Sequence, residues 1–178
     1  MFNADDPHAG LWRESNARRC IVDFGIRQPA SVRGQCQSRD FGSALAVTLP
    51  HACLEITLQV PGEHNAMNAL AAAAAAFALD VSLRSIDVGL SGFTGVKGRL
   101  QRKPALHGST FLDDTYNANP DSVKAALAVL AQQPGRKVLV LERGPTPGGQ
   151  FAAGLLGPGF EAPALHPGSR LRPDIVRD

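Results

Sequence analysis

The apolar residues of this chain recur at two spacings, and each spacing predicts one kind of element. From Leu54 to Val60 every second residue is apolar, a pattern typical of a strand with one buried face. The residues before it, 50–53, are predicted to form a hairpin turn. Further strands are predicted at residues 1–3, 19–24 and 44–49. We expect residues 1–3 to be the end of a strand that begins upstream.

Apolar residues at helical spacing predict the other elements in this half of the chain. Helices are predicted at residues 7–16, 64–79 and 83–90. The second of them is rich in alanine, and no apolar run reaches the roughly 18 residues that would span a bilayer. A membrane partner is therefore not expected.

A strongly polar stretch, Asp113 to Pro120, follows the apolar residues Phe111 and Leu112. This change of character predicts a strand that ends at Asp113 or Asp114, a short polar crossing, and a helix that begins near Asn119. In open α/β sheets, ligands bind at the carboxyl end of such a strand. The polar stretch is therefore the first candidate for a functional site.

The residues after the crossing support a strand–helix–strand unit. Asn119 suits the N-cap, because its side-chain oxygen can accept a free amide hydrogen of the first turn. Pro120 suits the first helical position, which needs no backbone donor. Gly135 ends the helix, and residues 137–141 predict a buried parallel strand. The predicted fold class is therefore α/β.

Composition places the chain among soluble globular proteins of one or two domains. Its 178 residues carry a net charge of +2, and 44% are hydrophobic and 19% charged. So small a charge gives no indication of a nucleic-acid partner. The three cysteines lack a metal-ligand spacing and are expected to be reduced thiols. Asp5 and Asp6 stand where a signal peptide would be apolar, which favours a cytoplasmic location.

The last part of the chain, residues 142–178, differs from the rest. It contains 7 glycines and 6 prolines among 37 residues, above the share of roughly 25–30% that indicates low complexity. This composition predicts little secondary structure. We expect the tail to be disordered, out of frame or otherwise non-native.

Four stretches carry further information in their residue types and their order. They are Asn3–Pro7, Gly62–Leu70, Val96–Leu100 and Asp113–Ser122. Together they resemble the Mur ligases, the ATP-dependent ligases of peptidoglycan synthesis. The run Asp-Asp-Thr-Tyr-Asn-Ala-Asn-Pro-Asp-Ser is most similar to the branch that adds D-alanyl-D-alanine to UDP-N-acetylmuramoyl tripeptide. The resemblance covers roughly residues 2–141.

The resemblance implies an organisation in three parts. Residues 1–97 are expected to be the second half of a central ATP-binding domain. Residues 98–141 are expected to begin a doubly wound C-terminal α/β domain, with 142–178 as the tail. The implied cofactors are ATP and Mg²⁺, and the implied substrates are the UDP-N-acetylmuramoyl tripeptide and D-alanyl-D-alanine.

Two asparagines on the predicted helix 64–79 are candidates for adenine recognition. A primary amide offers a donor and an acceptor together, which matches the N6 donor and N7 acceptor of adenine. By resemblance, Asn65 and Asn68 lie on the adenine side. The alternative for Asn65 is that it caps the helix.

Arg99 and Asp114 are the candidates for the rest of the nucleotide. By resemblance, the guanidinium of Arg99 reaches the γ-phosphate and acts in catalysis, and Asp114 accepts hydrogen bonds from the ribose hydroxyls. The alternative for Arg99 is a solvated basic surface. A turn with helix-end electrostatics is the alternative for both aspartates, and for Asp113 it is the preferred interpretation.

Several further polar residues are candidates for the cleft or the substrate. They are Asn3, His64, Tyr116, Asn117 and Asn119. Asn3 can equally serve only to turn the chain, and Asn119 can serve only as an N-cap. His64 lacks a histidine or cysteine at ligand spacing, so a metal role is not expected.

The phosphate cradle Gly-x-x-x-x-Gly-Lys-Ser/Thr does not occur in the sequence. The resemblance places that cradle, and the Mg²⁺ ligands, upstream. We therefore expect the 178 residues alone to lack ligase activity and to bind adenine nucleotides weakly. One alternative is an inactive nucleotide-binding or structural fragment. Another is a different Mur or folylpolyglutamate-type ligase, against which the run 116–119 argues, because those branches usually carry other residues there.

Overall fold

The computed structural model describes residues 1–105, 108–116, 119–140 and 152–155, and within them the chain forms two sheets. The first sheet has the order β1-β2-β3-β4-β5. Its strands are β1 (Phe2–Asn3), β2 (Asp23–Gly25), β3 (Val32–Arg39), β4 (Gly42–Leu49) and β5 (Ala52–Leu58). The first two pairings are parallel, and β3, β4 and β5 form an antiparallel meander.

Three helices accompany this sheet: α1 (Ala9–Ser15), α2 (Glu63–Ala78) and α3 (Leu83–Ser91). Helix α2 turns its small residues inward, so that Ala66, Ala69 and Ala73 lie against the strands together with Leu70. Small side chains allow a helix to lie close to a sheet, and the buried leucine fills the remaining space. Sheet and helices together form the N-terminal lobe.

The second sheet, with its helix, forms the C-terminal lobe. Its order is β6-β7-β9-β8, from β6 (Gln101–Pro104), β7 (Thr110–Asp113), β8 (Lys137–Val140) and β9 (Ala152–Leu155). Helix α4 (Pro120–Gln132) follows β7 and buries Ala126, Val129 and Leu130 against Leu100 and Leu112. The polar crossing thus lies between β7 and α4, where the two lobes meet.

Most predicted elements are confirmed within one to three residues. The helices predicted at 7–16, 64–79 and 83–90 are α1, α2 and α3, and the alternating strand at 54–60 is β5. Asn119 caps α4, with its side-chain oxygen accepting from the amides of Asp121 and Ser122 at 3.0 and 2.8 Å.

Two strand predictions were wrong in detail. The strand predicted at 19–24 is β2, Asp23–Gly25, which shares only Asp23 and Phe24 with the prediction. The strand after α4 was expected to be a buried parallel strand. Strand β8 does run parallel to β7, but β9 lies between them and pairs antiparallel with both, and β8 is only half-buried. Strand β9 belongs to the segment 142–178, where little secondary structure was expected.

Candidate nucleotide pocket

A pocket of about 460 Å³ lies between α2, the segment after α3, and the start of the C-terminal lobe. Its volume is within the range of roughly 300–1,000 Å³ typical of small-molecule sites. Five of the residues singled out from the sequence line it: His64, Asn65, Asn68, Arg99 and Asp114. Residues far apart in sequence therefore face one space.

Helix α2 contributes the amides from its first two turns. Asn65 donates from Nδ2 to the carbonyl oxygen of Pro61 at 2.7 Å, so this side chain both supports the helix start and faces the pocket. Asn68 follows one turn later and is exposed. Residues three apart on a helix lie on the same face, which is why both amides reach one pocket.

Gly62 shapes the entrance to α2. Its φ of +96° and ψ of 142° lie in a region that only glycine occupies readily. A Cβ added there would lie 2.6 Å from Cε1 of His64 and 3.0 Å from Cγ2 of Val129 on α4. The missing side chain is therefore what allows the imidazole and the C-terminal lobe to approach.

A tight loop presents Arg99. The amide of Arg99 donates to the carbonyl of Val96 at 3.0 Å, and Gly98 between them has a φ of +73°. The carbonyl of Gly98 accepts from the amide of Tyr116 at 2.9 Å, which fixes the loop to the polar crossing. The guanidinium is exposed at the pocket and stacks on the ring of Tyr116, 4.1 Å from its centroid.

The two adjacent aspartates lie in opposite environments. Burial alone would raise the pKa of Asp113, but hydrogen bonds from Lys103 and Thr115 outweigh it and lower that pKa. Its carboxylate, 8% exposed, is thus a structural group of the crossing, as preferred from the sequence. Burial raises the pKa of Asp114, and the hydrogen bond from the amide of Leu100 at 3.1 Å does not offset it.

His64 faces Asp114 across the pocket. Desolvation by the surrounding atoms lowers the pKa of His64, and the charge of Asp114 opposes that shift only in part. The lowered pKa favours the neutral form of the imidazole. A neutral ring offers a flat surface with one donor and one acceptor rather than a charge.

The remaining predicted residues lie elsewhere. Tyr116 contacts Arg99 but does not line the pocket, and Asn119 is the N-cap of α4. Asn3 accepts from the amide of Asp5 at 2.9 Å in the turn after β1, so it is not brought to this pocket. Asn117 lies outside the described residues.

Sequence reasoning missed the apolar walls of the pocket. They are formed by Leu58, Val60, Leu90, Phe93, Val96 and Leu100, with Ala69, Ala72 and Ala125. Phe93 and Val96 remain 44% and 48% exposed. The large apolar residues in the glycine-rich segment 92–98 could have indicated these walls, because a fully solvated loop would not require large apolar side chains.

The residues that the structure describes offer neither a metal site nor a membrane span. They contain no group of three or more His, Cys, Asp or Glu residues placed to hold a metal ion. Among the same residues, no helix is both long and apolar enough to cross a membrane.

Comparison with known families matches both lobes. Residues 1–76 match the Mur ligase middle domain, and residues 98–158 match the model described as "Mur ligase, glutamate ligase domain". The second match extends beyond the resemblance noted from the sequence. Arg99 lies at the start of the second matched segment, directly after the junction between the two.

Individual relatives point to the same family as the domain matches. UDP-N-acetylmuramoyl-tripeptide–D-alanyl-D-alanine ligase of Escherichia coli (strain K12) is 40% identical over 100 residues, which are 56% of this chain and 22% of that protein. MurF from Acinetobacter baumannii superposes with a TM-score of 0.70 at 37% identity, over 78% of this chain and 30% of that one. MurF ligase from Thermotoga maritima, solved in complex with ADP, has the same fold, with a TM-score of 0.61 at 20% identity over 75% of this chain and 30% of its own. The chain thus spans less than a third of the length of these relatives.

Proposed function

This chain belongs to the Mur ligase family, and on that premise we propose that its pocket binds the adenosine part of ATP. The observation that carries the proposal is the convergence of Asn68, Arg99 and Asp114 on one space with apolar walls. A purine ring needs an apolar slot with a few placed polar groups, and the apolar and polar residues that line this pocket support the proposal.

Each polar group has a role in the proposal. The amides of Asn65 and Asn68 pair with the edge of adenine, since one amide can meet a donor and an acceptor together. Asp114 accepts hydrogen bonds from the ribose hydroxyls, which would compensate the desolvation that raises its pKa. Arg99, which is exposed at the pocket, meets the phosphate oxygens with its fork of donors.

The proposed reaction is the addition of D-alanyl-D-alanine to UDP-N-acetylmuramoyl tripeptide in peptidoglycan synthesis, in the cytoplasm. Relatives that carry this activity in their names support the assignment. In this chemistry the γ-phosphoryl group of ATP activates a substrate carboxylate, and the amine of the dipeptide then displaces phosphate. Magnesium supplies charge neutralisation at the phosphates, but the described residues contain no cluster suited to hold it.

The nucleotide proposal is tested by titrating the 178-residue chain with adenosine and with ATP. We expect Asn68→Ala and Asp114→Asn each to weaken adenosine binding about tenfold, the loss of one or two good hydrogen bonds. Asn16→Ala and Asp87→Asn are the matched controls, because neither residue lines the pocket. Adenosine binding unchanged in both pocket variants would contradict the proposal.

The acceptor is tested separately by nuclear magnetic resonance. We expect D-alanyl-D-alanine to shift resonances of the C-terminal lobe and L-alanyl-L-alanine to leave them in place. Equal shifts with both dipeptides would remove the support for this substrate while leaving the nucleotide pocket untouched.

A further inference from the structure

Two exposed side chains at the edge of the pocket are stacked on each other. The guanidinium carbon of Arg99 lies 4.1 Å from the centroid of the Tyr116 ring. Tyr116 is 61% exposed and does not line the pocket, whereas Arg99 does. The ring therefore contacts a pocket residue from outside the pocket.

The backbone holds the two residues in this relation. The amide of Tyr116 donates to the carbonyl of Gly98, the residue before Arg99. A Cβ on Gly98 would lie 3.2 Å from Oγ1 of Thr115 and 3.3 Å from the amide nitrogen of Tyr116, so the two segments are in direct contact. Thr115 is itself fixed, because its hydroxyl donates to Asp113 at 2.7 Å. The stack thus joins two anchored segments.

We infer that Tyr116 is a positioning residue, whose ring holds the guanidinium of Arg99 at the pocket in the orientation that receives phosphate. The assignment rests on the nucleotide pocket proposed above. An exposed arginine otherwise samples many rotamers, and binding an anion would require it to be ordered at that moment. A ring stacked beneath the guanidinium supplies that order beforehand.

The geometry also says which property of the residue matters. The contact is made by the face of the ring, so the hydroxyl contributes little and phenylalanine is expected to replace tyrosine. An aliphatic residue cannot stack in this way, because the attraction comes from the negative face of the π-system. Tyr116 does not line the pocket, so the affinity for adenosine is expected to be independent of this residue.

The test compares ATP with adenosine in the full 178-residue chain. We expect Tyr116→Leu to weaken ATP binding about two- to fivefold, the range for an exposed cation–π contact, with adenosine binding unchanged. Tyr116→Phe is expected to bind both ligands as the parent chain does. The double variant Tyr116→Leu/Arg99→Ala is expected to bind ATP no more weakly than Arg99→Ala alone, because the ring then has nothing to hold.

Matched controls come from the same chain. Arg102→Ala removes another arginine that stacks on an aromatic ring, 4.0 Å from the Phe41 centroid, but lies outside the pocket. Trp12→Leu removes an exposed ring on α1. Neither is expected to change the ratio of ATP to adenosine affinity. Far-ultraviolet circular dichroism establishes that each variant is folded.

A second measurement needs no nucleotide. The Nε–H resonance of Arg99 is expected to be displaced by the ring current of Tyr116 and to return to the ordinary arginine position in Tyr116→Leu. If the leucine variant is too unstable to titrate, Tyr116→Phe still tests the inference. The Nε–H resonance of Arg99 is expected to stay displaced in that variant.

The outcomes separate the two proposals. Failure of the parent chain to bind adenosine would overturn the proposed function and the inference with it. If the parent chain binds adenosine but Tyr116→Leu and the parent bind ATP equally well, only the inference about Tyr116 is overturned. An equal loss of both ligands would also overturn it, since that result indicates a general loosening of the pocket.

Discussion

The two lobes bury their apolar residues on very different scales. Among the residues that the structure describes, the cluster of the N-terminal lobe contains fourteen buried members and that of the C-terminal lobe five. Yet Arg99 and Asp114, the charged groups of the pocket, come from the C-terminal side of the junction. The N-terminal lobe contributes amides on a helix that is packed along its length.

The difference indicates two ways to hold a functional side chain. Asn65 and Asn68 are placed by a helix whose inner face is buried, so hydrophobic packing fixes them. Arg99 and Asp114 are placed by a short turn and by backbone hydrogen bonds, with little core behind them. We expect stability to depend mainly on the first lobe, and charge placement to depend on local hydrogen bonds in the second.

The largest expected effect is the loss of a core leucine in the N-terminal lobe. Leu70 and Leu112 are both fully buried, one in each lobe. Leu70→Ala is expected to lower the free energy of unfolding by about 4 kcal/mol and Leu112→Ala by about 2 kcal/mol. The smaller loss is expected for Leu112 because the cluster around it has fewer buried members. Urea unfolding measures both values.

The chain offers one reporter in each lobe, because it has one tryptophan, Trp12, and one tyrosine, Tyr116. Fluorinated forms of these residues give separate fluorine resonances in a single sample. Leu112→Ala is expected to move the transition at Tyr116 more than that at Trp12. The contrary result is an equal shift of both transitions, with equal losses of unfolding free energy in Leu70→Ala and Leu112→Ala. It would show that the lobes unfold as one unit and do not differ in stability.

The next largest effect is expected at Gly62, where the lobes touch. Gly62→Ala places a Cβ in a backbone region that is nearly restricted to glycine and within 2.6 Å of the His64 ring. We expect a loss of about 3 kcal/mol, near the upper end for such strain. Gly10→Ala is the control, since nothing lies within 4 Å of a Cβ there. Calorimetric melting of the two variants gives the comparison, and similar melting temperatures would contradict it.

How far the sequence predicted this molecule also differs between the regions. Helix α4 and its cap followed from local rules, because Asn119 and Pro120 act within one turn. Strand β3 was missed, since only Val32 and Gly34 are buried among its eight residues and its partner β4 defines it. The order of the second sheet depends on β9, whose composition gave no indication of a strand. The pocket residues were suggested by resemblance, but the stack of Tyr116 on Arg99 depends on a contact that spacing does not encode.

A moderate effect is expected at Asp113. Its pKa is lowered from 3.8 in the folded chain, so the unfolded chain binds this proton more readily as the pH falls. The stabilisation is present above about pH 4 and is lost below it. Asp113→Asn is expected to cost about 2 kcal/mol at pH 7, the value of charged hydrogen bonds that are largely buried. The difference from the parent is expected to shrink as the pH falls through the folded pKa.

The neighbouring carboxylate gives the control with the opposite sign. The pKa of Asp114 is raised from 3.8, so folding disfavours the ionised form of this carboxyl. The resulting loss of folding stability grows as the pH rises through the folded pKa. Asp114→Asn is therefore expected to be at least as stable as the parent at pH 7. Chemical unfolding at several pH values checks both variants. Losses of the same size and pH dependence would refute the division between a structural and a binding carboxylate.

The smallest effect is expected at the exposed contact between the lobes. The hydroxyl of Ser38, at the end of β3, donates to Oε1 of Gln132 on α4 at 2.7 Å. Ser38→Ala is expected to change the free energy of unfolding by no more than about 0.5 kcal/mol, because both groups can return to water. The adjoining Phe41 packs on the C-terminal cluster, so it, rather than the hydrogen bond, is expected to couple the lobes. If Ser38→Ala separated the unfolding transitions at Trp12 and Tyr116, the coupling between the lobes would instead depend on polar contacts at the surface. The packing of Phe41 on the C-terminal cluster would then contribute little to that coupling.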